Sequence, residues 1–371
     1  MKDVVISGSG FYVPPNLVTN EALVDAFNQD VDRYNQQHAA QIDAGELEAR
    51  KHSSAAFIEK ASGIKSRYMV SSEGVLDPER LQPSVVKTEG ELSPIMTMAL
   101  ESAKKALAQA NKSGSDIDLV IVAATNAERS YPASSIELQH LLGTKGFAFD
   151  MNVACSSATF ALSQAVNTIR GGMARCVLIV CPEYFTPQLN YRDMQSHFIF
   201  GDAGAAMVVE AKETATSDNC WQVQGMKLLT QYSTNIRCDA SYASHCYADD
   251  APENPHFRQN GSQVFKELVP MVAKQVKGLM AELSLEAGDI SRLWMHQANI
   301  NMNRYAAKKI LGRAPLPEEA PYVLEHYGNT AAAGSVMAFN LYNGDRPPGD
   351  IGFLCSFGAG YSIGCIALKK V

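Results

Sequence analysis

The chain has 371 residues, 46% of them hydrophobic and 19% charged, with a formal net charge of −7. That length suits two ordinary domains or one fused pair, and an acidic chain argues against non-specific nucleic-acid binding. No apolar run reaches the ~18 residues of a membrane span, and MKDVVISGSG enters a strand with no signal-peptide core, so a cytoplasmic setting is expected. The eight cysteines (155, 176, 181, 220, 238, 246, 355 and 365) lie mostly in strand-like runs and are expected as reduced thiols. Cys238, His245 and Cys246 are close in sequence, but their spacing fits no common zinc pattern, and no metal is expected.

Val4-Val5-Ile6 predicts a short buried strand. The following Gly8-x-Gly10 lacks a third glycine, and Pro14-Pro15 blocks a helix start, which excludes a dinucleotide fingerprint. Thr19-Asn20-Glu21 predicts a helix to about Asn28, and residues 29–56 read as a polar, helical insertion. Phe57 to Lys65 predicts a helix stopped at Gly63. Residues 71–93 hold two prolines and two glycines and read as a loop. A helix over Pro94 to Asn111 leads to a fully apolar strand, Leu119 to Thr125, and a helix over Ser135 to Leu142. FAFDMNVACSSATFAL (147–162) then predicts a buried strand that turns through Ala154-Cys155-Ser156-Ser157 into a helix. A cysteine there faces free backbone N–H groups and the positive end of a helix dipole, which favours thiolate. Ser156 and Ser157 are candidate N-caps. Strands follow at Cys176 to Cys181 and, after a Gly201-Asp202-Ala203-Gly204 turn, at Ala205 to Val209.

The second half repeats this order. A helix (Val264 to Leu283) leads to Asp289-Ile290, a strand through Met295, and Asn299; the first half offers a helix, Asp116-Ile117, a strand, and Asn126. Ile351 to Ser356 mirrors Cys176 to Cys181. The reading is α/β with mostly parallel sheets, two halves (1–210 and 211–371) packed about a shared helical layer.

Three short stretches of the second half add polar groups at turns. His296, in His296-Gln297-Ala298-Asn299, sits at the C-terminal end of a strand, where ligands bind in open α/β sheets. Asn329 precedes a helix of small residues, and Ser356 to Tyr361 makes a glycine turn. Taken singly, these are a core histidine, a turn-forming asparagine and a turn. Taken with Cys155 they suit acyl transfer through a thioester. Cys155 would accept the acyl group, the N–H groups of Cys155 and Gly360 would hold the oxyanion, and His296 and Asn329 would donate to a second carbonyl oxygen where charge gathers as a carboxylate is lost.

These stretches, with ASGIKSRYM (61–69), residues 116–143, IFGDAGAA (199–206), NGSQVFK (260–266), HQAN with AKKILG, YGNTAAAGS and SFGAGYSIG, resemble the β-ketoacyl-acyl-carrier-protein synthase III family of the thiolase superfamily. The resemblance implies a five-layered αβαβα sandwich of two similar halves and a homodimer. It implies Cys155 as acylated nucleophile, His296 and Asn329 as the decarboxylating pair, Gly360 as second oxyanion donor, and Tyr131 as the residue entering the partner's acyl pocket. The implied reaction condenses an acyl-CoA primer with malonyl-acyl carrier protein, with no metal or redox cofactor. Phe57 stands where a tryptophan stacks on coenzyme A's adenine, and it and Asn299 are expected at the substrate channel. Ala61 and the offset Arg192 depart from the family's basic positions there. Lys266, Arg304, Lys308 and Lys309 are candidates to dock the acidic carrier protein. Segments 29–56 and 71–93 either shape the entrance or are surface insertions. The same residue set would also serve a type III polyketide synthase or acyl transfer to oxygen or nitrogen; a non-catalytic scaffold and a papain-like hydrolase fit less well.

Overall fold

The computed structural model describes residues 2–84, 90–239 and 255–371. His245 and Cys246 of the zinc reading, and part of loop 71–93, lie outside them. Strand β1 (Val4–Tyr12) runs well past Ile6. Its glycines let a helix come close: a Cβ on Gly8 would lie 2.3 Å from the Ala106 carbonyl oxygen, and one on Gly10 2.6 Å from the Ala106 nitrogen. β2 (Asn16–Thr19) pairs with β3 (Ser66–Met69) apart from the main sheet. Thr19 caps α1 (Asn20–Gln37), its hydroxyl accepting the Ala22 N–H. α1 does not stop at Asn28, because Phe27, Asp30 and Val31 keep a buried face. α2 (Ala39–Asp43) is short, and residues 44–54 are irregular, so only part of the insertion is helical. α3 (Ala55–Ser62) ends at Gly63, φ +84°, as its sequence predicts.

The first half continues with α4 (Pro94–Gln109), β4 (Leu119–Ala123), α5 (Ser134–Leu142), β5 (Phe147–Met151), α6 (Ser157–Arg170), β6 (Cys176–Glu183) and β7 (Ala203–Ala211). The second holds β8 (Trp221–Ser233), a small hairpin of β9 (Ile236–Arg237) and β10 (Arg258–Gln259), α7 (Gly261–Glu282), β11 (Ile290–Met295), α8 (Ile300–Leu311), α9 (Leu324–Tyr327), α10 (Ala333–Leu341), β12 (Ile351–Gly358) and β13 (Gly360–Lys370).

The main sheet has the order β11-β12-β13-β8-β1-β7-β6-β4-β5. Its two parts repeat one another. β4 and β6 are parallel, with β7 and β1 added antiparallel; β11 and β12 are parallel, with β13 and β8 added antiparallel. The sheet is therefore mixed rather than mostly parallel, because each crossover pair is extended by antiparallel strands, and β8 escaped the sequence reading altogether. Two residue pairs, Val5 with Gln222 and Ile6 with Trp221, join the parts. α6 and α10 each contact strands of both, forming the middle layer, while α4 and α5 cover one outer face and α7 and α8 the other. This is the αβαβα sandwich of two similar halves. α10 fits between two sheets because AGSVMAFNL is buried through Phe339 and mostly small. Trp221, Trp294 and Phe339 close the seam edge to face, with ring centroids 4.8 Å and 5.0 Å apart. β5 is not the buried strand its composition suggests. It is the sheet's last strand, and Phe147 is 38% exposed.

Candidate active site

The chain between β5 and α6 makes a tight elbow. Ala154 lies at φ +48°, a region L residues seldom adopt. Two side chains hold it there: Asn152 Oδ1 accepts the Ala154 N–H at 2.9 Å, and Ser157 Oγ accepts the Val153 N–H at 2.8 Å while donating to the Ala154 carbonyl at 2.7 Å. Neither serine caps α6 by its side chain; Ser156 Oγ instead donates to the Ser362 carbonyl across the seam at 3.0 Å. The elbow presents Cys155 at the head of α6, beside Gly358, where a Cβ would come within 2.7 Å of the Cys155 Cβ.

The surroundings of Cys155 oppose the thiolate that its place at the helix head favours. Burial pushes the Cys155 thiol up to about 12, and the negative charge of Glu183 adds to this, outweighing hydrogen bonds from the main chain of Ala359 and of Cys155 itself. Glu183 lies at the end of β6, fully buried, and accepts from Thr125 N–H at 3.1 Å and from Ala332 N–H at 3.3 Å. Burial raises its carboxyl to about 7.

His296 ends β11. Its N–H donates to the Cys355 carbonyl at 2.8 Å, and its own carbonyl accepts from Asn303 Nδ2 at 2.9 Å, so the main chain is fixed on both sides. The ring stands edge-on to Phe357 at 5.4 Å. Burial lowers it to about 4, against a hydrogen bond at the Ala331 main chain, and the imidazole is neutral near pH 7. Asn329 is held by Ile199 and Gly201, its N–H donating at 2.9 Å and its carbonyl accepting at 3.0 Å. Its Oδ1 accepts the Ala331 N–H at 2.9 Å, which assigns the amide orientation and leaves Nδ2 as the free donor.

One cavity of about 550 Å³ is lined by Cys155, His296 and Asn329 together. A second, of about 450 Å³, shares Cys155, Phe200, Ile236 and Phe257 with it and adds Phe185. A thiol thus stands between two chambers, with a neutral imidazole and a carboxamide on one side.

Residues 149–225 match the family model described as 3-oxoacyl-[acyl-carrier-protein (ACP)] synthase III, and residues 280–370 match its C-terminal counterpart. Over 351 residues the chain is 46% identical to the β-ketodecanoyl-[acyl-carrier-protein] synthase of Pseudomonas aeruginosa, covering 94% of this chain and 100% of that one. The chain belongs to the 3-oxoacyl-[acyl-carrier-protein] synthase III family. The β-ketoacyl-[acyl-carrier-protein] synthase III of Allorhizobium ampelinum is 31% identical over 87% of this chain and 93% of its own. The crystal structure of the synthase III of P. aeruginosa PAO1 shares the fold, with a TM-score of 0.76 at 22% identity over 99% of this chain and 98% of that one. The chain is accordingly an acyltransferase of the synthase III type.

Phe57 lies on the rim of the larger cavity, edge to face with Phe198 at 6.2 Å. Asn299 lines the same cavity, but both its ends are engaged: Oδ1 caps α8 by accepting from Asn301 and Met302, and Nδ2 donates to the Ala61 carbonyl at 2.7 Å. Ala359 and the expected Gly360, which sits at φ +131°, both line the smaller chamber with Cys155, and the Ala359 main chain favours charge on the sulfur. Tyr131 is 84% exposed and lines neither chamber of the single chain. Arg304 and Lys308 line a separate cleft that shares Asn301 with the channel rim; Lys309 leans on the Tyr305 ring at 4.9 Å, and Lys266 is exposed on α7. Arg192 is not a free cation at the rim. It donates to Asp30 at 3.3 Å and to the Glu79 and Arg80 carbonyls. Buried Asp30 also takes Arg33 at 2.7 Å, and Phe27 stacks on His197 at 4.6 Å. Segments 29–56 and 71–84 therefore brace the 190–200 loop, whose Phe198 and Ile199 line the channel, rather than covering the entrance themselves.

Three working residues escaped the sequence reading: Glu183, Asp202 and Arg67. Asp202, in IFGDAG, accepts from Val70, Phe185 and Thr186 N–H groups and so ties three loops. Arg67, in ASGIKSRYM, is buried and donates to the Phe198 carbonyl at 2.9 Å. For Glu183 and Asp202 a charged residue inside an apolar run was the available signal. Among the described residues no cluster of three metal-ligating side chains occurs, and no helix is long and apolar enough to cross a membrane.

Proposed function

We propose that the protein condenses a medium-chain acyl-CoA with malonyl-acyl carrier protein, by way of an acyl group carried on Cys155. One observation carries this reading: Cys155, His296 and Asn329 share a cavity that opens at Phe57, and a second, aromatic-walled chamber begins at the same sulfur. The larger cavity suits the pantetheine arm and the smaller the acyl chain. In the first step Cys155 sulfur adds to the thioester carbonyl carbon, the carbon–sulfur bond to coenzyme A breaks, and the thiol proton leaves on the coenzyme A sulfur. Malonyl thioester then enters the emptied arm channel. Its carboxylate leaves as carbon dioxide, and the negative charge passes to the thioester oxygen, where His296 and Asn329 Nδ2 donate. The resulting carbanion attacks the acyl-cysteine and frees the Cys155 thiolate, which takes up a proton. No metal or redox cofactor enters this balance.

The curated P. aeruginosa relative is named for a β-ketodecanoyl product. Less the two malonyl carbons, that is an eight-carbon primer, and a chamber of about 450 Å³ lined by three phenylalanines supports the same class here. The carrier protein, acidic itself, would dock on Lys266, Arg304, Lys308 and Lys309 at the α7–α8 face. A homodimer would complete the site. The free edge of β5 and the exposed Phe147, Ile136, Met173 and Tyr131 support pairing of this face with a second copy, whose Tyr131 would reach the acyl chamber. A cytoplasmic location goes with these substrates. Intact-protein mass after exposure to acyl-CoAs of two to twelve carbons tests the reading. Maximal acylation by the eight-carbon donor is expected; no acyl mass with any donor overturns it.

A further inference from the structure

Tyr361 follows the turn that faces the sulfur. The register between β13 and β8 slips at this residue, with Gly360 opposite Ser233 but Ser362 opposite Thr230. A bulge of this kind re-aims the side chain beside it. The Tyr361 ring is 1% exposed, and its phenol O–H donates to Glu267 Oε2 on α7 at 2.8 Å. Asn235 Nδ2 donates to the phenol oxygen at 2.9 Å and to Glu267 Oε2 at 3.0 Å, and Gln263 Nε2 donates to Glu267 Oε1 at 2.5 Å. The Asn235 carbonyl accepts the N–H of Asn260, the cap of α7, at 2.8 Å. The opening residues of α7, Gly261, Ser262, Val264 and Phe265, line the larger cavity. One hydrogen-bonded unit thus runs from the channel wall to the turn that carries Ala359.

We propose that Tyr361 is a positioning residue for acyl transfer: its bond to Glu267 fixes the Gly358–Gly360 turn so that the Ala359 N–H stays aimed at the carbonyl oxygen of a thioester on Cys155. The inference rests on the acyl-cysteine reading given above. Oxyanion donors act only when they are held in place before charge develops. Glycine on both sides of Ala359 leaves that turn few side chains to hold it; Ser362 Oγ donates to the Ala359 carbonyl at 2.9 Å. Tyr361 supplies a second hold from the far side of the turn, and a carboxylate acceptor makes its bond charge-assisted.

Tyr361→Phe keeps the ring and loses the bond; Glu267→Ala removes the acceptor, and Glu267→Gln restores a neutral one. Each would be acylated with a carbonyl-labelled acyl-CoA, and the thioester carbonyl stretch read by infrared difference spectroscopy beside single-turnover acylation. Tyr361→Phe and Glu267→Ala should raise the stretching frequency and lower the acylation rate roughly tenfold with KM within about twofold, since a misaimed oxyanion donor weakens transition-state stabilisation more than binding. Glu267→Gln should lie nearer the wild type on both measures. An unchanged stretch and rate in Tyr361→Phe, with only a lower Tm, overturns the proposal. So does a raised KM with rate and stretch intact, which would confine the network to the channel wall. If the wild-type protein gains no acyl mass on Cys155, the acyl-cysteine reading fails and the proposal with it; an acylated wild type beside an unresponsive Tyr361→Phe defeats the proposal alone.

Discussion

The turns at the heads of α6 and α10 have the same build and opposite chemistry. Asn152-Val153-Ala154-Cys155 and Asn329-Thr330-Ala331-Ala332 each hold an alanine in the left-handed region, at φ +48° and +46°. In each, the asparagine Oδ1 accepts that alanine's N–H at 2.9 Å. The fourth position differs. In the first turn it is Cys155; in the second it is Ala332, which spends its N–H on Glu183 at 3.3 Å. The asparagines differ too: Asn152 Nδ2 donates to the Thr125 carbonyl at 2.9 Å, whereas Asn329 Nδ2 is left for the cavity. A repeated backbone has thus been given a nucleophile in one copy and a donor in the other. The conformation belongs to the repeat, and the chemistry to single side chains.

The most damaging change removes the sulfur. Cys155→Ala should abolish acylation, and adding Ala332→Cys should not restore it, because the second turn lies fully buried against Glu183. Acyl label on the double variant, read by peptide mass, would show the two turns to be interchangeable. Next come the donors. His296→Ala and Asn329→Ala should leave acylation near normal and cut condensation by roughly 10²–10³, the usual loss for one oxyanion-type donor. Equal loss in both half-reactions, measured by single turnover with acyl-CoA alone and then with malonyl-carrier protein, would dissolve the division of labour between the halves.

The halves should also part on pH. The Cys155 thiol is held up near 12 by burial, so its ionised fraction, and with it acylation, should climb about tenfold per pH unit through neutrality. His296, lowered to about 4 by burial, stays neutral over that range, and condensation from a preformed acyl-enzyme should be flat from about pH 5.5 to 8. In stability the two groups carry opposite signs. His296 favours the folded state above its unfolded value near 6.5 and loses that contribution as pH falls toward 4. Glu183, raised to about 7, contributes below the ordinary carboxylate range and loses its contribution as pH rises through 7. Acylation that is flat with pH would point to a base for Cys155 that the buried surroundings do not reveal.

Much of this was legible in the chain. The elbow at 154–157, the strand-end His296 and the asparagine before α10 are local patterns, and local patterns survive in one dimension. The ionisation state of Cys155 was not legible, because a helix N-terminus is local while desolvation and Glu183 arrive from β6, distant in sequence. The character of β5 was misread for a related reason: FAFDM is as apolar as a core strand, and only the sheet order shows it to be an edge. Asp30 gathers arginines at 33, 50 and 192, so the purpose of the insertion lay in residues far apart along the chain.

The smallest effect bears most directly on the shared backbone. An L residue in the left-handed region costs about 1–2 kcal/mol, and glycine removes that strain while adding about 0.5–1 kcal/mol of unfolded-state entropy. Ala154→Gly and Ala331→Gly should therefore each stabilise by about 0.5 kcal/mol, a rise in Tm of ~1–2 °C for a chain of this size. Because the two turns share φ and hydrogen bonding, the gains should match. Activity should not. Freedom at Ala154 loosens the residue next to the nucleophile and should slow acylation, whereas freedom at Ala331 lies beside Asn329 and should slow condensation alone. Calorimetry on the two variants, with each half-reaction timed separately, would show whether identical strain has been put to two uses; a stability gain confined to one turn would mean the likeness of the pair ends at their dihedral angles.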